Sequence, residues 1–467
     1  MVAPYFEPGS FRDRTSRVFY QDGAVLRGLN AHAAQEWEVL KTKPFFQQSM
    51  AEGKIVRTEQ VESTDSSPNA EHWSVILKHQ AIPFISYPYE WPFSMLQAAA
   101  LLTLELQTAA LNVDMTLKDA TPFNVQWSGS QPVFIDIPSF ERLRPGEPWV
   151  GYRQFCQLFL YPLFLQAYKD IPFQPWLRGS LEGIEPAQCA QLMSLRDMFR
   201  PGVLSHVILQ AKAQASYART ERNLKKDLRQ AGFHKTLIQA NVGRLRKLVA
   251  QLTWKQSQST WSGYTEALPY TESEQHQKAD FVRRITHSRR WNIVWDLGCN
   301  TGTFSRIAAE NADYVLAMDI DTLVIERFYR ELTRDRSPNI LPLIGNVADP
   351  APNLGWRGLE RKALVERGRP DLTLCLALLH HVVISAHIPL REFITWLASL
   401  GTALVIEFVT RDDPMVRTLL RHKADHYTDY DLEYFERCLA EMFTIDQRET
   451  LESGTRILYS ARSKRQV

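Results

Sequence analysis

The sequence predicts an α/β protein: a doubly wound sheet over residues 256–467, an α+β domain over 1–180 and a helical connector over 181–255. Three observations carry this reading. The apolar run Ile293-Val-Trp-Asp296 leads straight into Leu-Gly298-Cys-Asn300-Thr-Gly302 and then an amphipathic segment at 303–309, which reads as strand, glycine turn and helix start. A second apolar run, Tyr314–Met318, ends in Asp319, seventeen residues past Gly302. Further apolar runs at 340–344, 371–377 and 403–409 alternate with longer mixed segments, as strands alternate with helices in βα units. A chain of 467 residues also exceeds one ordinary core, so more than one domain is expected.

The elements of the first half follow in order. Val18–Arg27 reads as a hairpin, with Asp22-Gly23 as a type I′ turn between alternating apolar residues. Trp73–Lys78 and Phe84–Tyr87 read as strands, and Ser94–Leu111, dense in Ala, Leu and Gln, as a helix. Then come the loop Leu117–Asn124, a short hairpin and the strand Val133–Asp136. Ser63–Asn69 reads as a surface loop. Residues 181–255 read as helices.

Composition sets bounds on function. The chain is 45% hydrophobic and 23% charged, with a net charge of +2, so the whole chain is not a polyanion binder. The basic run from Arg219 to Lys247 holds only Phe233 as an aromatic. No base-stacking platform is expected there, and a solvated helix face is favoured over a nucleic-acid contact. The N-terminus lacks the basic and apolar regions of a signal peptide. The most apolar stretch, Phe155–Ala167, is too short to span a bilayer. The five cysteines are scattered and form no C-x-x-C pair, so no zinc site or disulfide framework is expected, and a reducing cytoplasm is.

The turn at 296–302 is a ligand-binding geometry. Gly298 and Gly302 allow tight turning and close approach of backbone to a ligand. The helix start that follows offers free N–H groups to a negative group. An acid at the end of the second strand, here Asp319, is where a ribose diol is held in doubly wound sheets. The pattern D-x-G-x-N-x-G, from Asp296 through Gly298 and Asn300 to Gly302, is not the dinucleotide fingerprint.

Its spacing resembles motif I of the class I S-adenosylmethionine-dependent methyltransferases, with Asn300 where glycine is frequent. The likeness continues over roughly 256–467. Ile340–Ile344 looks like the third strand and Gly345–Asp349 like the adenine loop, with Asn346 and Val347 as contacts. Asp371–Ala377 with Leu378-Leu-His-His-Val382 looks like the fourth strand and its exit, and Ala403–Val409 like the fifth. Phe443–Asp446 and Arg456–Ser460 look like the closing pair. The resemblance implies a seven-stranded Rossmann-like sheet, S-adenosyl-L-methionine as cofactor, and a methyl acceptor that is a small molecule, a saccharide or a protein. It implies that Tyr270 and Lys278, before the first strand, close over the methionine end of the cofactor. His380, His381 and Glu407, at the ends of strands four and five, are the candidates for a base. The whole chain resembles a bacterial group of nodulation-protein-like methyltransferases, through Glu407–Val409 followed by Asp413-Pro-Met-Val416.

The first half resembles the protein-kinase and aminoglycoside-phosphotransferase superfamily. Asp119 and Asn124 stand five apart as in the kinase catalytic loop, and Asp136 follows twelve residues later. The resemblance implies that these three would hold magnesium. The departures are specific: Leu117 replaces the loop histidine, Ile137-Pro138 replaces Phe-Gly, and no glycine-rich loop is found. Only Arg27 and Lys78 are candidates for the third-strand lysine. A degenerate domain that shapes or presents the acceptor is therefore expected. The alternatives are a phosphotransferase or ATP-binding protein, and a non-catalytic adaptor that retains the cofactor.

Overall fold

The computed structural model describes residues 3–62, 72–218, 234–255, 271–421 and 427–464. The chain divides into two compact units. The first comprises Met1–Trp127, Pro132–Lys255 and Asn353–Arg361, and the second Ser128–Gln131, Gln256–Pro352 and Lys362–Val467.

The first unit holds a five-stranded antiparallel sheet in the order β1-β2-β3-β5-β4. Its strands are β1 (Tyr5–Phe6), β2 (Ser16–Gln21), β3 (Ala24–Leu29), β4 (Thr58–Val61) and β5 (Val75–His79). Asp22 and Gly23 both have positive φ, 50° and 78°, the twist a type I′ hairpin requires. Two helices, Ala31–Leu40 and Pro44–Ala51, separate β3 from β4. The strand expected at Phe84–Tyr87 does not form. The side chain of Gln126 takes the place of a strand partner there: Ser86 N donates to its Oε1 at 2.9 Å, and its Nε2 donates to Ser86 O at 3.0 Å.

The helix read at 94–111 spans Phe93–Asn112 and buries residues around its whole circumference, the pattern of a central helix. Short pairs follow: β6 (Met115–Leu117) with β9 (Phe140–Arg142), and β7 (Val125–Ser128) with β8 (Gln131–Phe134). The helices of 181–255 count within this first unit. Lys235–Gln251 buries Ile238, Val242, Leu245 and Val249, a three-to-four-residue stripe. Gln97 ties the end of that helix down by donating to Val249 O and Leu252 O at 2.7 and 2.9 Å. Arg244, Arg246 and Lys247 face solvent and Lys235 pairs with Asp114 at 2.6 Å, while 219–233 lies outside the described residues. So does the loop read at Ser63–Asn69.

The second unit is a seven-stranded mixed sheet in the order β12-β11-β10-β13-β14-β16-β15. Five parallel strands, β10 (Trp291–Leu297), β11 (Ala312–Asp319), β12 (Ile340–Ile344), β13 (Leu372–Cys375) and β14 (Ala403–Val409), are followed by β16 (Arg456–Ser463), antiparallel to β14, and by the edge strand β15 (Phe443–Thr450), antiparallel to β16. The reversal of strand order between β10 and β13 opens a crevice at the C-terminal strand ends, where such sheets bind ligands. Strand β13 is shorter than its apolar run. Asp371 instead accepts from Asn292 N and Ile293 N with its carboxylate, and Ala377 turns left-handed.

The helix Glu272–Thr286 starts in a capping box between Thr271 and Glu274. Asp321 caps Thr322–Arg334 with its side chain alone, accepting from Leu323 N and Val324 N. All five cysteines are free and buried. No helix among the described residues is long and apolar enough to cross a membrane.

Candidate functional site

A cavity of about 470 Å³ opens in the second unit, at the C-terminal ends of β10, β11 and β13. Its floor is the turn after β10. Gly298 (φ 74°), Asn300 (φ 47°) and Gly302 (φ 82°) are all left-handed. Gly298 N and Cys299 N both donate to Met318 O, at 2.8 and 3.0 Å, so the turn is stitched to the end of β11. Gly298 and Asn300 line the cavity. Gly302 does not, contrary to expectation: a Cβ there would lie 2.0 Å from the Phe328 ring. It is glycine so that a helix can pack against the turn.

Asp319 lines the cavity beside this floor. Its Oδ2 accepts from Asn300 N and its Oδ1 from Asp321 N, each at 2.9 Å. A carboxylate has lone pairs to spare beyond these two bonds. Burial is the main cause that raises its pKa. Gly345, Asn346, Val347 and Ala348 form the next wall. Asn346 Oδ1 accepts from Ala348 N at 3.0 Å, an Asx turn that sets the loop.

The expected acid–base group is divided by burial. His381 lines the cavity, on a π-turn over His381–Ser385, a geometry frequent at functional sites. Burial, with a smaller contribution from the charge of Arg456, pulls its pKa down to about 4. It is therefore a neutral imidazole at pH 7, able to take a proton. His380, its ring 4.1 Å away, is fully buried and off the cavity wall. Burial drives its pKa well below the usual histidine value. In a histidine NMR titration the His381 imidazole should stay neutral down to about pH 5. A midpoint near 6.5 would contradict its environment.

Glu407 is not placed as a base. It is fully buried and does not line the cavity. Its Oε2 pairs with Lys278 Nζ at 2.6 Å and accepts from Ala377 N at 2.8 Å, while Oε1 meets Arg456 at 3.3 Å. Arg456 in turn reaches Asp413 at 2.8 Å. All four charged groups are buried, and each cation lies against a carboxylate, which is the condition for burying them. Lys278 lines the cavity with Nζ 4.9 Å from the Phe304 ring centre. Burial lowers its pKa against the opposing pull of Glu407.

Asp296 is likewise off the wall. It is buried, accepts from Ser305 Oγ at 2.6 Å and is pushed by burial to about 6, so it anchors the helix Thr303–Ala309. Tyr270 lies outside the described residues. Sequence reasoning missed Ala377, left-handed at φ 51° on the cavity wall, together with Phe304, Arg456 and Asp413.

In the first unit Asn124 and Asp136 meet at the Ser139 hydroxyl, and Asp136 is also ion-paired. Asp136 Oδ1 is paired with Arg27 at 2.7 Å, and its other oxygen accepts from Ser139 Oγ. Asn124 Nδ2 also donates to Ser139 Oγ, at 3.1 Å. Asp119 has a raised pKa, first from burial and then from the nearby charge of Asp136. Among the described residues no group of three or more His, Cys, Asp or Glu is arranged to hold a metal. Arg27, one of the two lysine substitutes considered, is thus spent on the expected metal ligand.

The turn, the acid at the end of β11 and the loop after β12, on a seven-stranded sheet of this order, define a methyltransferase-like α/β unit. The chain is 33% identical over 459 residues to nodulation protein NoeA of Rhizobium meliloti (strain 1021), covering 97% of this chain and 95% of that protein. It belongs to the NoeA family. No family model matches the chain. Among solved structures, the N-methyltransferase NodS of Bradyrhizobium japonicum WM9 in complex with S-adenosyl-L-homocysteine is 14% identical with a TM-score of 0.32. It covers 44% of this chain and 100% of NodS. Magnesium protoporphyrin IX methyltransferase of Synechocystis PCC 6803 with bound S-adenosylhomocysteine is 16% identical with a TM-score of 0.30, over 48% of this chain and 95% of that protein. The chemistry of the cavity rests on this chain's own residues.

Proposed function

We propose that the chain is an S-adenosyl-L-methionine-dependent methyltransferase whose second unit holds the cofactor. The observation that carries this is one cavity lined by the left-handed turn at 298–300, by Asp319 and by the loop 345–348. Those groups fit a nucleoside with a charged tail. Asp319 keeps lone pairs for two ribose hydroxyls, Asn346 and Val347 face the base, and the turn leaves room for the tail. Lys278 supplies the cation on the opposite wall. The bound cofactor supplies a methyl group already activated as a sulfonium. The chain's part is alignment, which is worth up to ~7–11 kcal/mol, and removal of a proton. His381 is the group on the wall placed to take that proton, and its lowered pKa suits a hydroxyl, whose proton becomes strongly acidic as the methyl arrives. Kinship with a protein named for nodulation supports a role in that process. The acceptor is otherwise open among small molecules, saccharides and proteins, and the first unit serves to shape or present it.

Calorimetry with S-adenosylhomocysteine tests the reading directly. Wild-type protein should bind, and Asp319→Ala should lose about 1.5–3 kcal/mol of that affinity, since a charged acceptor of two hydrogen bonds is removed. No binding by the folded wild-type protein would sink the reading.

A further inference from the structure

Two walls of the cavity meet at one buried carboxylate. On one side stands Lys278, on the helix Glu272–Thr286, with its Nζ 2.6 Å from Glu407 Oε2. On the other side is Ala377, whose N–H donates to the same oxygen at 2.8 Å. Ala377 has φ 51°, a left-handed conformation that an alanine adopts only against its steric preference, at a cost of about one to two hydrogen bonds' net worth. Its neighbours Leu376 and Leu378 also line the cavity. Arg456 approaches the second oxygen of Glu407 and is itself held by Asp413, so the carboxylate is gripped from behind and cannot rotate away. Glu407 is fully buried and contributes nothing to the cavity surface.

We propose that Glu407 is the positioning residue of the cofactor cavity: one carboxylate holds the strained Ala377 turn and the Lys278 ammonium at a fixed separation, with Arg456 and Asp413 as its clamp. This deepens the reading of the cavity as an S-adenosylmethionine site and rests on it. The Ala377 turn carries the exit of β13 towards His381. Loosening it therefore relaxes the wall that the cofactor and the base share.

The test separates position from charge. In Lys278→Met/Glu407→Leu both charges of the pair are removed together and Arg456 keeps Asp413, so the buried charge stays balanced. Ala377 N–H then has no acceptor. In Lys278→Met/Glu407→Gln the amide oxygen restores one. Calorimetry with S-adenosylhomocysteine, on variants shown to be folded, should show the leucine double variant binding about tenfold more weakly than the glutamine one. Equal affinities would overturn the proposal. Adding Ala377→Gly to the leucine variant should recover the loss, because glycine takes a positive φ unaided. Failure to recover it counts against the proposal as well. Should the double variants not fold, hydrogen exchange on unliganded wild-type protein decides: a protected Ala377 amide supports the proposal and a freely exchanging one overturns it. A wild-type protein that does not bind S-adenosylhomocysteine would instead overturn the cofactor reading, so the two failures are told apart.

Discussion

Gly302→Ala is expected to cost about 2–5 kcal/mol of folding stability, the sum of left-handed strain for an L-residue and overpacking of a filled site. The backbone there sits at φ 82°, and the added methyl would lie 2.0 Å from the Phe328 ring, which is 1% exposed. Phe328 lies on the helix Thr322–Arg334 and is part of the core cluster under the sheet, so it cannot swing into solvent. Urea unfolding would measure the loss, and a variant as stable as wild type would show that Phe328 has room to move. Gly298 is the milder position. A Cβ there meets Leu378 at 3.3 Å, a contact a leucine side chain can relieve, and its larger effect should fall on ligand affinity because it lines the cavity. The two glycines of one motif thus differ in place, one against the core and one on the cavity wall.

Arg456→Met should be comparably severe, for an electrostatic reason. Arg456 is 1% exposed and sits between Glu407 and Asp413, both fully or almost fully buried. Removing it leaves Lys278 alone against two carboxylates in a dry interior. Breaking a buried pair in this way costs about 3–5 kcal/mol, because the desolvated charge left behind has lost its compensation. Urea denaturation of the full chain measures it. A second substitution, Asp413→Asn, should recover a large part of the loss by restoring charge balance. A loss below about 1 kcal/mol for Arg456→Met, the range of exposed pairs, would mean that water reaches the network.

The strands of the second unit were legible because each is a short apolar run ended by a turn signal. Ile340–Ile344 and Ala403–Val409 form with the ends their hydrophobic runs suggest. The turn 296–302 was legible as well, since glycine spacing is a local pattern. What a polar residue near a strand end faces is not local. Glu407 in Ile-Glu-Phe-Val has the same appearance whether it points at a ligand or into the core. The answer lies in Lys278 and Arg456, which are 129 and 49 residues away. His380 and His381 are adjacent in sequence, yet the π-turn that starts between them sends one into the interior and one to the cavity. In the first unit the β2–β3 hairpin could be read from Asp22-Gly23. The engagement of Asp136 by Arg27 could not, because the pair spans 109 residues. Three polar positions at kinase-like spacing say nothing of which cation will reach them.

The buried thiols have a consequence for how opening of this chain can be watched. Cys156 and Cys189 belong to the first unit, and Cys299, Cys375 and Cys438 to the second. Burial pushes Cys156 and Cys189 up to about 12 and raises Cys299 and Cys375 too. Alkylating reagents attack the thiolate, so these sulfurs are both shielded and protonated in the native state. Each becomes reactive only when its own surroundings open, which turns modification into a clock. Mass spectrometry that resolves the two groups of peptides would time the opening of each unit separately. Cys299, inside the turn that floors the cavity, would register the added protection when a nucleoside ligand binds.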